Sequence, residues 1–333
     1  IKNTANMKSI AAIHKEYGKP TDVLHPETIE VPNPKKGQAL VKLERAVINP
    51  SDLGMIGGSY GRLRPLPAIA GREGIGEVVA LGPETEYPKI GTRVRLPSEP
   101  GAWTQFQVCQ ADDLMSVPSD IPEDMCAMSF INPPTAYCIL NQFEDLKEGD
   151  WVIQNGAGSA VGYFMIQMCA ARGINTVNML RSASAKKSAL KSIGATIVVD
   201  ETDFNLKEIK AATGGKLKLG LNQIGGESVS NMIKAMGDSA TVVTIGGMVS
   251  DPIRFPTRFL IFNDLRLRGF WWDNFQRTHS KSEIKKIFDA VFDMERSGIL
   301  KAPVDSVYPM SELSGAIARA CTNSRSGKVM LKF

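Results

Sequence analysis

The 333-residue chain has no apolar stretch approaching the ~20 residues a helix needs to cross a bilayer, so no part of it reads as a membrane span. It has no long block of like charge and no basic face interleaved with aromatics, which leaves nucleic acid without a footprint. Internal repeats and low-complexity tracts are missing too, which argues against solenoids and polar arms. The five cysteines, at positions 109, 126, 138, 169 and 321, form no C-x-x-C pair, and their number is odd. The three histidines, His14, His25 and His279, stand at no ligand spacing. These gaps exclude a disulfide framework and a cysteine-built zinc lobe, and they fit reduced, mostly buried thiols in an intracellular protein.

What is present is ordinary for a globular protein: 43% hydrophobic and 22% charged residues, with a net charge of +4 that suits acidic ligands such as phosphorylated cofactors or acyl carriers. The length allows two domains, each with its own core. Residues 1–125 carry short β-rich runs broken by Gly, Pro and Asn (KSIAAI, TIEVPNP, QALVKLERAVI, GIGEVVALG, TRVRLP, TQFQVC), the texture of an irregular antiparallel barrel. From residue 126 helices alternate with strands. Helices are expected at 163–173, 185–194 and 227–236 between WVIQ, NTVNML, TIVVD, LGLNQIG and ATVVTIGG, with LRLRGFWW (265–272) as a last strand. That alternation predicts a parallel, doubly wound sheet over 126–272. An amphipathic helix from about Ser282 to Ser297 and a final strand, GKVMLKF, are expected to return to the first domain, so that 273–333 complete it. A ligand is then expected in the cleft between the domains, outside the carboxyl ends of the parallel strands. The chain begins at Ile1. Two origins fit: a presequence removed ahead of it, which implies the mitochondrial matrix, or Met7 as the native start after a vector-derived remnant, which implies the cytosol.

The chemistry starts in WVIQNGAGSAVG (151–162). Gly156, Gly158 and Gly162 allow a tight turn between a strand and a helix, where backbone amides meet a nucleotide pyrophosphate. The spacing is G-x-G-x-x-x-G rather than the G-x-G-x-x-G fingerprint, and its meaning comes from the strand before it and the helix after. The next strand ends at Arg181, followed by Ser182 and Ala183, with no acid before Asp200. An NAD site would place a carboxylate there for the ribose 2′-hydroxyl. An arginine instead grips a 2′-phosphate through charge-assisted hydrogen bonds, with Ser182 adding a hydroxyl and Lys186 or Lys187 adding positive field. This reading makes the cofactor NADPH.

INPSDLGMIGGSYG (48–61), LPAIAGREGIGEVVALG (66–82), INPPTAYCIL (131–140), VIQNGAGSAVG (152–162) and LRLRGFWW (265–272) together resemble the medium-chain dehydrogenase/reductase superfamily. Within it, the chain is most similar to the mitochondrial-type 2-enoyl thioester reductases, from about Met7 to Phe333. The resemblance implies an α/β-plus-β fold: a GroES-like irregular β-barrel domain and an NADPH-binding Rossmann domain. It also implies a homodimer and an enoyl-CoA or enoyl-acyl-carrier-protein substrate. The zinc alcohol dehydrogenases of this superfamily bind metal through a Cys and a His. Here the corresponding segments read NPSD (49–52) and Gly71-Arg72-Glu73, and an arginine does not deprotonate to bind zinc at neutral pH, so no metal is expected.

Without a metal, the substrate carbonyl must be polarised by hydrogen bonds. Reduction places hydride on the β-carbon, builds enolate charge on the thioester oxygen, and protonates the α-carbon. A phenol ordinarily keeps its proton at neutral pH and so can donate it. The resemblance puts that role on Tyr60, in Gly58-Ser59-Tyr60-Gly61. It also implies that Asn132 hydrogen-bonds near the nicotinamide ribose and that Gly158, Ser159, Ala160 and Val161 line the pyrophosphate. Ile245, Gly246, Gly247 and Met248 would contact the nicotinamide side. Phe270, Trp271, Trp272 and Lys328 are implied as cofactor or pocket contacts, although the aromatics also read as core at a strand end and Lys328 as an edge residue. Two other readings remain at this stage: a zinc-free NADPH quinone or enone reductase, and a non-catalytic NADPH-binding protein.

Overall fold

The computed structural model describes residues 7–248, 252–323 and 325–333. The chain forms two compact units: the first runs through Phe130 and resumes at Ala302–Phe333, and the second is Ile131–Lys301.

In the second unit, six short strands lie parallel in one sheet. Across the sheet they run Ile197–Asp200, Asn175–Leu180, Trp151–Gln154, Leu217–Asn222, Thr241–Thr244 and Arg266–Gly269. Numbered by chain position this is the order 3-2-1-4-5-6, the doubly wound arrangement in which the strand carrying the glycine turn sits beside the topological switch. The four central strands are largely apolar because both faces are covered: Ile153, Val177, Met179, Leu219, Leu221 and Val243 are fully buried. The helices at Ala160–Ala171, Ala183–Ser192 and Gly226–Ala235 stand within a few residues of the expected ranges. Further helices, Asn132–Gln142, Leu206–Thr213 and Trp272–Thr278 among them, lack a counterpart in the sequence reading.

LRLRGFWW does not continue as a strand to residue 272. Pairing stops at Gly269, the Phe270 amide donates to Thr244 O at 3.0 Å, and a helix begins at Trp272. The indole of Trp272 lies 5.8 Å from Phe288, edge to face, and is buried. The helix Lys281–Arg296 opens with a capping box in which Ser280 and Glu283 exchange hydrogen bonds. Its buried stripe, Ile284, Ile287, Phe288, Val291 and Phe292, packs against the helix Asn132–Gln142. Residues 273–301 therefore belong with the parallel sheet and not with the barrel. An amphipathic stripe shows that a helix has a core face, but not whose core it joins.

The first unit is an irregular, mostly antiparallel barrel. Its larger sheet holds Gln38–Val47, Gly74–Leu81, Arg93–Arg95, Phe106–Gln110 and Met115–Ser116, with Lys328–Lys332 paired to Gln38–Val47 and Val304–Pro309 at the margin. A smaller sheet of Lys8–His14, Leu24–Glu30 and Ala68–Ile69 joins it where Ala12 N bonds Trp103 O at 2.8 Å. Trp103 is the centre of this core, fully buried with its indole N–H on Val47 O. Gly71 passes directly over it with φ +89°, where a Cβ would stand 2.2 Å from the indole, so only glycine fits.

Beside the final strand, Asp305 takes Nε and Nη2 of Arg319 at 2.8 and 2.6 Å and the Ser326 amide at 2.8 Å. These donors, Arg319 first, hold its carboxyl well below the ordinary aspartate value of 3.8. Asp305→Asn is expected to cost about 2 kcal/mol in urea unfolding at neutral pH. Because the folded value is depressed, this stabilisation is complete above the unfolded pKa and is lost progressively as pH falls from there through the folded value. The gap between parent and variant should therefore start to narrow below about pH 4 and close only in stronger acid. A gap as wide at about pH 2 as at neutral pH would refute this.

Candidate functional site

The glycine turn follows the strand Trp151–Gln154 and runs into the helix Ala160–Ala171. Gly156 takes φ +60° and Ala157 N bonds Met179 O at 3.1 Å, which ties the turn to the neighbouring strand. A Cβ on Gly162 would lie 2.5 Å from Ala157 O, so the helix start is pressed onto the turn and a side chain there would force them apart. Ser159 caps the helix, its hydroxyl accepting from the Gly162 amide at 3.0 Å and donating to Gln223 Oε1 at 2.9 Å. Helix geometry leaves the first amides, those of Ala160 and Val161, aimed outward from the helix start. The Lys186 ammonium stands 3.1 Å from where a Cβ on Gly158 would be, which adds positive charge over the turn. Outward amides, a bare glycine surface and a cation beside them fit a dinucleotide pyrophosphate.

Beneath the turn lies a polar lattice that sequence reasoning missed. Gln154, Asn155, Asn178 and Asn222 are fully buried, and Gln223 nearly so. Gln154 Nε2 donates to Asn178 Oδ1 at 2.8 Å and to Gly162 O at 3.0 Å. Asn155 Nδ2 donates to Asn222 Oδ1 at 2.9 Å, and the Gln223 amide donates to Asn155 Oδ1 at 2.7 Å. Ile245 N bonds Asn222 O, and Met248 N bonds Gln223 O. The lattice thus binds Ile245, Gly246, Gly247 and Met248 to the same strand ends as the glycine turn. A detectable signal was present: amide residues close the apolar runs WVIQN and LGLNQ, and Asn178 interrupts NTVNML.

Arg181 is exposed just past the second strand, and Ser182 turns the chain with φ +54°. Asp200, from the next strand, accepts from the Ala183 amide at 2.9 Å, and its carboxyl is held below its ordinary range by that bond and by Thr202. The acid therefore does reach this turn, but it caps backbone amides. Phe270 packs edge-on to Phe143 at 6.1 Å, and Trp271 lies under the Arg277 guanidinium at 5.4 Å. Trp272 takes the core position already described. Asn132 is buried at the start of the helix Asn132–Gln142.

In the first unit, Asn49 heads the helix Pro50–Ile56 in a capping box with Asp52, and Tyr60 follows four residues after the helix ends, half-buried. Arg72 Nη1 donates to the Tyr60 hydroxyl oxygen at 2.8 Å, and its guanidinium carbon lies 4.8 Å from the ring centroid. Glu73 turns inward, accepting from the Phe130 amide at 2.9 Å and from Asn49 Nδ2 at 2.7 Å. Lys328 donates to Asn49 Oδ1. Lys328 is thus not a solvated edge residue: it is 9% exposed, and burial pushes its ammonium down to about 8 against the opposing pull of Glu73. Burial also raises the carboxyls of Glu73 and Asp52, although cations stand near both.

Residues 35–119 match the family Alcohol dehydrogenase GroES-like domain, and residues 160–292 match Zinc-binding dehydrogenase. The donor set does not fit the metal in the second name. Asn49 and Arg72 occupy the expected ligand segments, Arg72 and Lys328 bring positive charge, and no group of His, Cys, Asp or Glu among the described residues could hold an ion. The chain is similar to the mitochondrial enoyl-[acyl-carrier-protein] reductases of Bos taurus and Homo sapiens, each 36% identical over 96% of this chain and 88% of theirs. The Arabidopsis thaliana protein of that name is 35% identical over 94% and 84%. Among solved structures, an Etr1p/NADP/crotonyl-CoA complex superposes with TM-score 0.89, at 24% identity over 98% of this chain and all of that one. A protein described as an NADPH:quinone reductase from Bacillus thuringiensis does so with TM-score 0.91, at 23% identity over 98% and 99%. These two likenesses speak to the fold alone.

Proposed function

The chain belongs to the family of the mitochondrial enoyl-[acyl-carrier-protein] reductases, medium-chain dehydrogenase/reductases, and from that premise we propose that it reduces trans-2-enoyl thioesters, as acyl-CoA or acyl-carrier-protein, to saturated acyl thioesters with NADPH. NADPH, when bound, supplies the hydride that goes to the β-carbon.

The chain's own residues do the rest. The amides of Ala160 and Val161 receive the pyrophosphate across Gly156, Gly158 and Gly162, with Ser159 fixing the helix start. Arg181 takes the 2′-phosphate, aided by Ser182 and Ala183. Asn132, Ile245, Gly246, Gly247 and Met248 position the nicotinamide end, with Phe270 and Trp271 as flanking aromatics. Tyr60 gives its phenolic proton to the α-carbon: the O–H bond breaks, the enolate electron pair forms the new C–H bond, and solvent reprotonates the phenolate.

The observation that carries this reading over a quinone reductase is Tyr60, a half-buried phenol whose oxygen is held by a hydrogen bond at 2.8 Å and not packed away. A small quinone needs no placed proton donor of this kind. The test is NADPH oxidation with crotonyl-CoA against a quinone. Strong preference for the thioester supports the reading, and preference for the quinone would overturn it.

The assembly proposed is a homodimer joined along the strand Arg266–Gly269. All four of its residues are exposed at the sheet edge, and Ile261 and Phe262 just before it are 66% and 80% exposed. A bare edge beside apolar side chains needs cover. Ile261→Glu with Phe262→Glu is expected to halve the mass seen by light scattering, and an unchanged mass would refute this edge as the interface. The mitochondrial matrix, by kinship with the relatives above, is the compartment inferred.

A further inference from the structure

Resting on the reductase reading, we propose that Arg72 is the positioning residue for the proton donor: it orients the Tyr60 hydroxyl and carries the counter-charge for the phenolate left when the proton departs.

A guanidinium has donors and no acceptor, so at 2.8 Å the Tyr60 oxygen accepts and its single proton must point away from Arg72. The proton is thereby aimed outward, toward whatever accepts it. Arginine keeps its charge at any working pH, so Arg72 is not itself the acid. When the Tyr60 O–H bond breaks and the α-carbon gains the hydrogen, the phenolate oxygen already faces a cation, and a hydrogen bond from a cation to a neutral oxygen becomes one between opposite charges. Arg72 is only 7% exposed, so little water competes for that bond.

The placement is built in. Gly71, lodged over Trp103, fixes the backbone immediately before Arg72. Arg64 holds the same segment from the other side, donating to Ile69 O at 2.6 Å, to Gly71 O at 2.8 Å and to Ser98 O. Glu73, the next residue, turns the other way, to Asn49 and the Phe130 amide. The buried carboxylate Asp52 lies within electrostatic reach of Arg72 and offsets its charge in the resting protein.

The test is a double-mutant cycle on the full-length protein with crotonyl-CoA and NADPH. Arg72→Gln is expected to lower kcat about 10- to 100-fold with the KM for NADPH unchanged, the range for losing one hydrogen bond to a charged group. In a Tyr60→Phe background the same change should cost less than about 2-fold, because the group it acts through is gone. Arg72→Lys, which keeps the charge on a shorter stem, should fall between, and free guanidinium ion at tens of millimolar should restore part of the turnover of Arg72→Ala. An equal loss in both backgrounds, or full turnover in Arg72→Gln, overturns the proposal. Full turnover in Tyr60→Phe overturns the donor role of Tyr60 and this inference together, no turnover of crotonyl-CoA by the parent protein overturns the reductase reading, and loss in Tyr60→Phe alone overturns only the role given to Arg72. If Arg72→Gln fails to fold, Arg72→Lys and the guanidinium response decide the matter.

Discussion

Tyr60→Phe is expected to turn over crotonyl-CoA roughly 10²- to 10⁴-fold more slowly than the parent chain, the span for removing a placed general acid. The substitution deletes one oxygen and leaves the ring, so the packing of the loop after Pro50–Ile56 should survive. Because the cofactor residues lie in other segments, the KM for NADPH should hardly move. Hydride delivery still creates an enolate, which then waits for a proton from solvent. The step made slow is proton transfer, so a solvent isotope effect on kcat should grow. Turnover equal to the parent would take the phenol out of the reaction.

Arg181→Ala is expected to raise the KM for NADPH about 10- to 100-fold while changing that for NADH less than about 2-fold, since the lost contact is a hydrogen bond to a charged group that only NADPH carries. The nearby acid does not reverse this. Asp200 is tied to the Ala183 amide and to Thr202, and Arg181, Lys186 and Lys187 oppose it with three positive charges. Steady-state kinetics with both nucleotides decides the point. An equal effect on the two would mean that Arg181 never meets a 2′-phosphate.

The parts legible in the sequence were those whose partners are close along the chain. Gly156, Gly158, Ser159 and Gly162 form one turn, and their spacing between a strand and a helix declares it. The alternation of strand and helix likewise announces a parallel sheet, because both patterns are local. The parts not legible depend on pairs far apart. Lys328 meets Asn49 across 279 positions, so its burial among carboxylates cannot be inferred from a lysine beside a last strand. Arg72 is read from sequence as a missing zinc ligand, but its use for Tyr60 depends on how Gly71 and Arg64 turn the chain. Trp272 reads as the end of a strand because aromatics favour strands, and tertiary packing on Phe288 makes it the start of a helix instead. The helix Lys281–Arg296 was visible as a helix, but its host was not.

The strand Lys328–Lys332 lies inside the first unit's sheet, between Gln38–Val47 and Val304–Pro309, although it is synthesised near the end of the chain. A ribosome therefore releases the barrel's early strands with one edge of Gln38–Val47 still open and Glu73 still lacking its ammonium neighbour. The pairing of that edge is therefore a long-range contact, which closes only after the intervening second unit has been made. It also means that a truncation just ahead of Lys328 would unmake a domain whose other strands lie far upstream.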